Sequence, residues 1–155
     1  MRAHLIASIA LLCISSTAAY ADESKAVLRA NESFYAALNA MFQGDLDPMK
    51  QVWSYADDVT YLGPDNSFRI GWTATLEDWQ KQAAMKLGGK VEPTDVHVVV
   101  GKDLAIVQNW EIGKNVAKGK RTTVKIRATN LYRKEDGKWK MIGHHTDLLP
   151  FLNKP

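Results

Sequence analysis

The stretch "WKMIGHHTD", residues 139–147, sets two histidines side by side in a chain that holds only four. Imidazole titrates near neutral pH and ligates transition metals, so the pair could be a proton carrier or a metal site. The choice depends on the element that carries it. Neighbours on a β-strand project to opposite faces, so His144 and His145 on a strand cannot grip one ion together. The alternation of Trp139, Met141, Gly143 and His145 puts His145 on the apolar face and His144 on the outer one. His97 falls in the outer phase of its own strand, and the single cysteine, Cys13, lies in the leader. No metal site and no cofactor are expected.

Other polar groups share inner faces under the same alternation. In "VKIRATNLYR" the inner set is Ile126, Ala128, Asn130 and Tyr132, which carries Asn130 inward. In "LAIVQNWEI" the inner phase reads as Leu104, Ile106, Gln108, Trp110 and Ile112, adding Gln108 and Trp110. Trp53, Tyr61 and either Phe34 or Tyr35 close the space from the other side. Buried polar groups cost free energy unless partnered, so Gln108, Asn130 and His145 converging among aromatics point to a small-molecule cavity. An enzyme reading of the same residues uses His145 as general acid or base and Asn130 to hold a developing oxyanion. A structural reading has the interior filled by its own side chains and the outer sheet face pairing two copies. A one-residue slip of the last hairpin would exchange His145 for His144 and Asn130 for Thr129.

The elements that must position these residues follow from periodicity. Residues 1–21 carry Arg2, an apolar run from Leu5 to Ile14 and the small-residue ending Ala19-Tyr20-Ala21, the pattern of a signal peptide cut before Asp22. The apolar run falls short of the roughly 20 residues that span a bilayer, so export to the periplasm or medium is expected, without stable membrane insertion. Taking 21 of the 155 residues away leaves 134, the size of one domain, residues 22–155. Removing Arg2 from the 20 basic residues leaves 19 against 17 acidic ones, a net charge of +2. That is too little to imply a nucleic-acid partner, and "KNVAKGKRTTVK" reads as a solvated hairpin.

Helical spacing of Val27, Ala30, Phe34, Leu38 and Met41 predicts a long helix over 24–43. Asp47 as N-cap with Pro48 behind it predicts a short second helix, and Leu76, Trp79, Ala83 and Leu87 a third over 75–87. From Thr94 onward the period changes to two, giving four strands with hairpin turns at "GKD", "GKNVAKGKR" and "KEDG". The fold class is α+β, a curved and mostly antiparallel sheet packed against about three N-terminal helices.

The stretches "FYAALNAMFQGDLDPMKQVWSYADDVTYLGP" and "IRATNLYRKEDGKWKMIGHHTD" resemble SnoaL-like members of the nuclear transport factor 2 and ketosteroid isomerase superfamily. The resemblance covers nearly all of residues 24–150. It implies a conical barrel open at one end, closed by the first helix, and a homodimer. It does not transfer the isomerase chemistry. The base position before the proline after the first strand is Gly63, the oxyanion-hole tyrosine position is Phe34 with Tyr35 beside it, and the position of the protonated aspartate is Asn130, or Thr129 if the hairpin is aligned without a gap. Asp57, Asp58 and Asp65 are read as solvated carboxylates rather than replacement bases.

Overall fold

The apolar stripe Val27, Phe34, Leu38 and Met41 forms the buried face of helix α1 (His4–Met41), which lies across the sheet and anchors the core. The computed structural model describes residues 4–117, 119–150 and 152. The helix runs back through the expected leader, so it is longer than its predicted 24–43. Glu23 accepts a hydrogen bond from the Trp139 indole at 3.0 Å and pairs with Lys134.

Helix α2 (Asp47–Val52) has Pro48 in its first turn, as expected, but Leu46 takes the N-cap position assigned to Asp47. Asp45 is the residue whose carboxylate accepts the Asp47 N–H, at 3.1 Å. A short hairpin, β1 (Thr60–Leu62) and β2 (Phe68–Ile70), precedes helix α3 (Trp72–Met85). Strands β3 (Lys90–Val100), β4 (Leu104–Ala117), β5 (Lys120–Glu135) and β6 (Lys138–Thr146) form the long antiparallel meander.

The sheet order is β2-β1-β6-β5-β4-β3, and β1 joins β6 in parallel. The sheet is mixed and does not close: β2 and β3 remain edges, and the helices complete the cone. Trp53, Trp79, Tyr61, Tyr132, Phe34 and Met141 are fully buried between helices and sheet.

Two expectations about strand faces are corrected. Strand β5 points as predicted, with Ile126, Ala128, Asn130 and Tyr132 buried. Its pairing with β4 sets Val107 opposite Asn130, Asn109 opposite Ala128 and Glu111 opposite Ile126. The inner residues of β4 are therefore Ala105, Val107, Asn109, Glu111 and Asn115, while Gln108 is exposed and Trp110 half-buried. Both phases of "LAIVQNWEI" hold apolar residues, and the larger ones lie outside, so hydrophobicity selected the wrong phase. In β6 the pairs Leu131 with Gly143 and Tyr132 with Met141 leave Ile142 as an extra residue, a β-bulge. Trp139 and Met141 point inward as predicted; the bulge then reverses the alternation, so His144 is buried and His145 faces out.

Asn39 on α1 joins helix to sheet, accepting the Val91 N–H at 2.8 Å and donating to the Val91 carbonyl at 2.9 Å. Replacing it strands both backbone groups. Asn39→Ala should lower unfolding free energy by about 1–3 kcal/mol in urea denaturation.

Candidate functional site

Four elements deliver a polar cluster to the bottom of the cone. From α1 come Asn31 and Tyr35, one helical turn apart; from β4, Asn109 and Glu111; from β5, Asn130 and Tyr132; from β6, His144. All are buried. The Tyr35 hydroxyl donates to Glu111 Oε1 at 3.0 Å and accepts from Asn109 Nδ2 at 2.8 Å. Asn130 Nδ2 donates to Asn31 Oδ1 at 2.8 Å, an oxygen that also accepts from the Tyr132 hydroxyl at 3.0 Å.

This network fixes the tautomer of His144. Because Asn130 Nδ2 is the donor to Asn31, its Oδ1 is left as an acceptor, and it lies 2.7 Å from His144 Nδ1. Nδ1 therefore carries the proton and Nε2 presents a lone pair, 3.6 Å from Glu111 Oε1. Burial pushes the Glu111 carboxyl up to about 7, a rise that the Tyr35 hydrogen bond only partly opposes. Burial, with the neighbouring His145 adding to it, pushes His144 down to about 3. Below about pH 7 the two face each other as carboxylic acid and neutral imidazole, and above it as carboxylate and neutral imidazole, in neither case as an ion pair.

Glu111 and His144 line a cavity of about 30 Å³ together with Leu38, Phe42, Tyr61 and Trp79. That is room for one or two water molecules. The Tyr61 and Trp79 rings lie 4.3 Å apart between centroids, and the Phe34 ring sits 4.7 Å from that of His144. Leu149 and Leu152, beyond β6, lie at the mouth with Pro64 and Gln82, and the Leu149 N–H bonds the Pro64 carbonyl at 2.8 Å.

Gly63 has a steric reason to be glycine. A Cβ there would overlap the Tyr61 hydroxyl and Ser67 Oγ. The corner that a side chain at 63 would occupy is filled by the phenol, which accepts from Gln82 Nε2 at 2.6 Å.

Of the residues singled out from sequence, Tyr35, Trp53, Tyr61 and Asn130 lie in the interior. Gln108, Trp110 and His145 do not join them. These three meet on the opposite face of the sheet, in an open groove of about 490 Å³ with His97, Arg127 and Asp147. His145 Nε2 there lies 2.8 Å from Thr60 Oγ1. Asp57 is exposed, Asp58 is bound by Arg133, and Asp65 accepts from the Ser67 N–H, so none of them enters the cavity.

Sequence reasoning missed Glu111, Asn109 and Asn31, and placed His144 outside. A signal for the first two existed: anchoring β4 on its pairing with Asn130 turns Asn109 and Glu111 inward together. Asn31 stands four residues before Tyr35, on the same helical face.

A family model described as a SnoaL-like domain matches residues 27–148. Among solved structures, a candidate dehydratase of the NTF2-like family from Streptomyces avermitilis is 26% identical with a TM-score of 0.72, covering 83% of this chain and 96% of that one. A candidate calcium/calmodulin-dependent protein kinase type II association domain from Thiobacillus denitrificans is 28% identical with a TM-score of 0.66, covering 77% and 92%. A candidate ketosteroid isomerase from Shewanella frigidimarina, 19% identical with a TM-score of 0.63 and covering 77% and 92%, shares the fold. No curated protein matches the chain.

The two shifted groups act on stability in opposite senses. Glu111, raised from 4.5 to about 7, favours the folded state at low pH and loses that contribution as pH rises to about 7. His144, lowered from 6.5 to about 3, contributes fully above 6.5 and loses it as pH falls to about 3. Between 4.5 and 6.5 folded and unfolded chains carry equal protons on this pair, so its contribution is flat, falling on either side. In Glu111→Gln only the histidine remains: unfolding free energy should climb between pH 4.5 and 6.5 by on the order of 1–3 kcal/mol, where the parent's pair contributes no slope. Urea unfolding across this range reads it.

Proposed function

The chain belongs to the SnoaL-like domain family, and from that premise we propose that it works on a small, largely apolar molecule in its cone by general acid–base chemistry of the isomerase or dehydratase kind. The observation that carries this reading is Glu111, a fully buried carboxyl with a pKa near 7, held from one side at the cavity floor. A group titrating near the working pH is suited both to take and to give a proton. Oε1 receives Tyr35 and faces His144, which leaves Oε2 as the oxygen without a side-chain partner among the described residues.

Glu111 is assigned the proton transfer, to or from carbon or a departing hydroxyl. Tyr35 and His144 position it, and the Asn130–Asn31–Tyr132 chain holds them. His145, the sequence-derived candidate for general acid or base, gives way to this pair because it faces the other side of the sheet. Tyr61, with Trp53 and Trp79 behind it, supplies the apolar wall. Entry of anything larger than water requires Leu149 and Leu152 to leave the mouth. The dehydratase-like relative lends support, since its description names a reaction that needs such a proton carrier.

The remaining sequence-derived readings are export and pairing of two copies. For pairing, the support is the outer face: Val99, Leu104 and Ile106 are 49%, 57% and 42% exposed on adjacent strands. Burying such a strip against its own copy would remove it from water.

Native mass spectrometry of protein from the exported fraction, followed by turnover of whatever ligand is released, tests the catalytic reading. Glu111→Gln should retain the ligand and lose about 10²–10⁴-fold in turnover; equal turnover would remove Glu111 from the reaction. A dimer whose chains begin at Asp22 is expected in the same spectrum, and Ile106→Asp should convert it to monomer; a parent that is monomeric at micromolar concentration would contradict the pairing.

A further inference from the structure

Between Glu111 and Glu135 the chain has no acidic residue, yet it holds eight basic ones. The net charge of the whole molecule conceals this run. The structure gathers part of it onto the end of the β4–β5 hairpin, a ribbon over residues 112–117 and 119–125. Strand β3 reaches β4 only as far as Lys114, opposite Lys90, and β6 reaches β5 only as far as Ala128, opposite Thr146. Beyond Lys114 and Ala128 the hairpin runs past the strands paired on either side; its inner residues Asn115, Val124 and Ile126 are buried and the Val116 N–H bonds the Leu87 carbonyl, which leaves the outer face as the exposed one.

Its outer face alternates apolar and cationic side chains. Ile112 stands opposite Lys125, Lys114 opposite Thr123 and Val116 opposite Arg121. Ile112 and Val116 are 40% and 38% exposed, and Lys125 Nζ sits 5.5 Å above the Trp110 ring. Arg127, Arg133 and Lys134 are bound by Asp147, Asp58 and Glu23. Lys114, Lys120, Arg121 and Lys125 have no carboxylate within ion-pair distance among the described residues.

We propose that this ribbon docks the protein on an anionic lipid bilayer surface, with Lys114, Arg121 and Lys125 among the headgroups and Ile112 and Val116 at the acyl boundary. Charge complementarity selects an anionic partner, because a second copy would set the three cations of this face against themselves. The interleaved aliphatic side chains select lipid over nucleic acid. Single strands are held on aromatic platforms, and the one aromatic here, Trp110, already carries Lys125 on its ring. Basic residues near such a surface each add affinity, and apolar side chains beside them add partition into the interface.

The test is co-sedimentation of the purified protein with vesicles of equal parts phosphatidylglycerol and phosphatidylcholine, and with phosphatidylcholine alone. The parent should bind the mixed vesicles at least about tenfold more tightly, with the difference fading as salt rises. Lys114→Glu/Lys125→Glu should lose about tenfold or more of that binding, with unchanged circular dichroism. Ile112→Ser/Val116→Ser should weaken it as well, at unchanged charge. Equal binding to both vesicle types, or binding insensitive to charge reversal, would overturn the proposal. So would an effect of charge reversal with none from the serine pair, or displacement from the vesicles by an equal charge concentration of DNA. Parent and variants are compared over the same residues, so differences among them belong to the ribbon.

Discussion

A carboxyl group at the floor of an apolar cone stays there only as a neutral acid or as a charge that its surroundings balance. Glu111 has no cation beside it: the nearest basic group is an imidazole that the same burial keeps neutral. The polar network around it is the consequence. Tyr35 must donate, Asn109 must orient Tyr35, and Asn130 must hold His144 Nδ1 so that the lone pair of Nε2 faces the acid. Removing one member leaves a buried donor or acceptor without a partner, which costs more than the bond contributed. The network thus couples α1, β4, β5 and β6, and the stability of the cone is tied to the protonation of its floor.

The bulge at Ile142 is the backbone feature on which this arrangement depends. Without it, His145 would share the inner face with Met141, and His144 would point to the outer groove. One extra residue in β6 satisfies both the packing of Trp139 and Met141 and the hydrogen bond to Asn130. At the other end of the cavity, Gly63 permits the Tyr61 phenol to occupy the space a side chain there would fill. The family resemblance implies a carboxylate at that corner; this chain has a phenol there and a buried carboxyl on β4.

Much of the architecture was readable from periodicity: the long first helix, the four-strand meander, the inner face of β5 with Asn130, and the burial of Trp53 and Tyr61. The site was less legible for physical reasons that individual residues make plain. Alternation assigns faces only where one phase is clearly more apolar, and in β4 the outer phase, Leu104, Ile106, Trp110 and Ile112, is the more apolar. A buried Glu111 looks like a solvated residue until its partners are known, since Asn31 and Tyr35 come from a helix 76 to 80 positions away in sequence. A bulge leaves no mark in composition, so the His144–His145 choice could not be made from the strand itself. The family resemblance added the cone, and also directed attention to position 63, where this chain has no base.

The most direct test of the account is the titration of Glu111 in the folded protein, read from its side-chain carboxyl carbon by NMR with the His144 ring followed in the same samples. The account predicts a carboxyl midpoint near 7 and an imidazole that stays neutral, protonated on Nδ1, down to about pH 3. A carboxyl that titrates near 4.5, with His144 gaining its proton near 6.5, would show an ordinary solvated pair and would contradict the reading of Glu111 as the proton carrier.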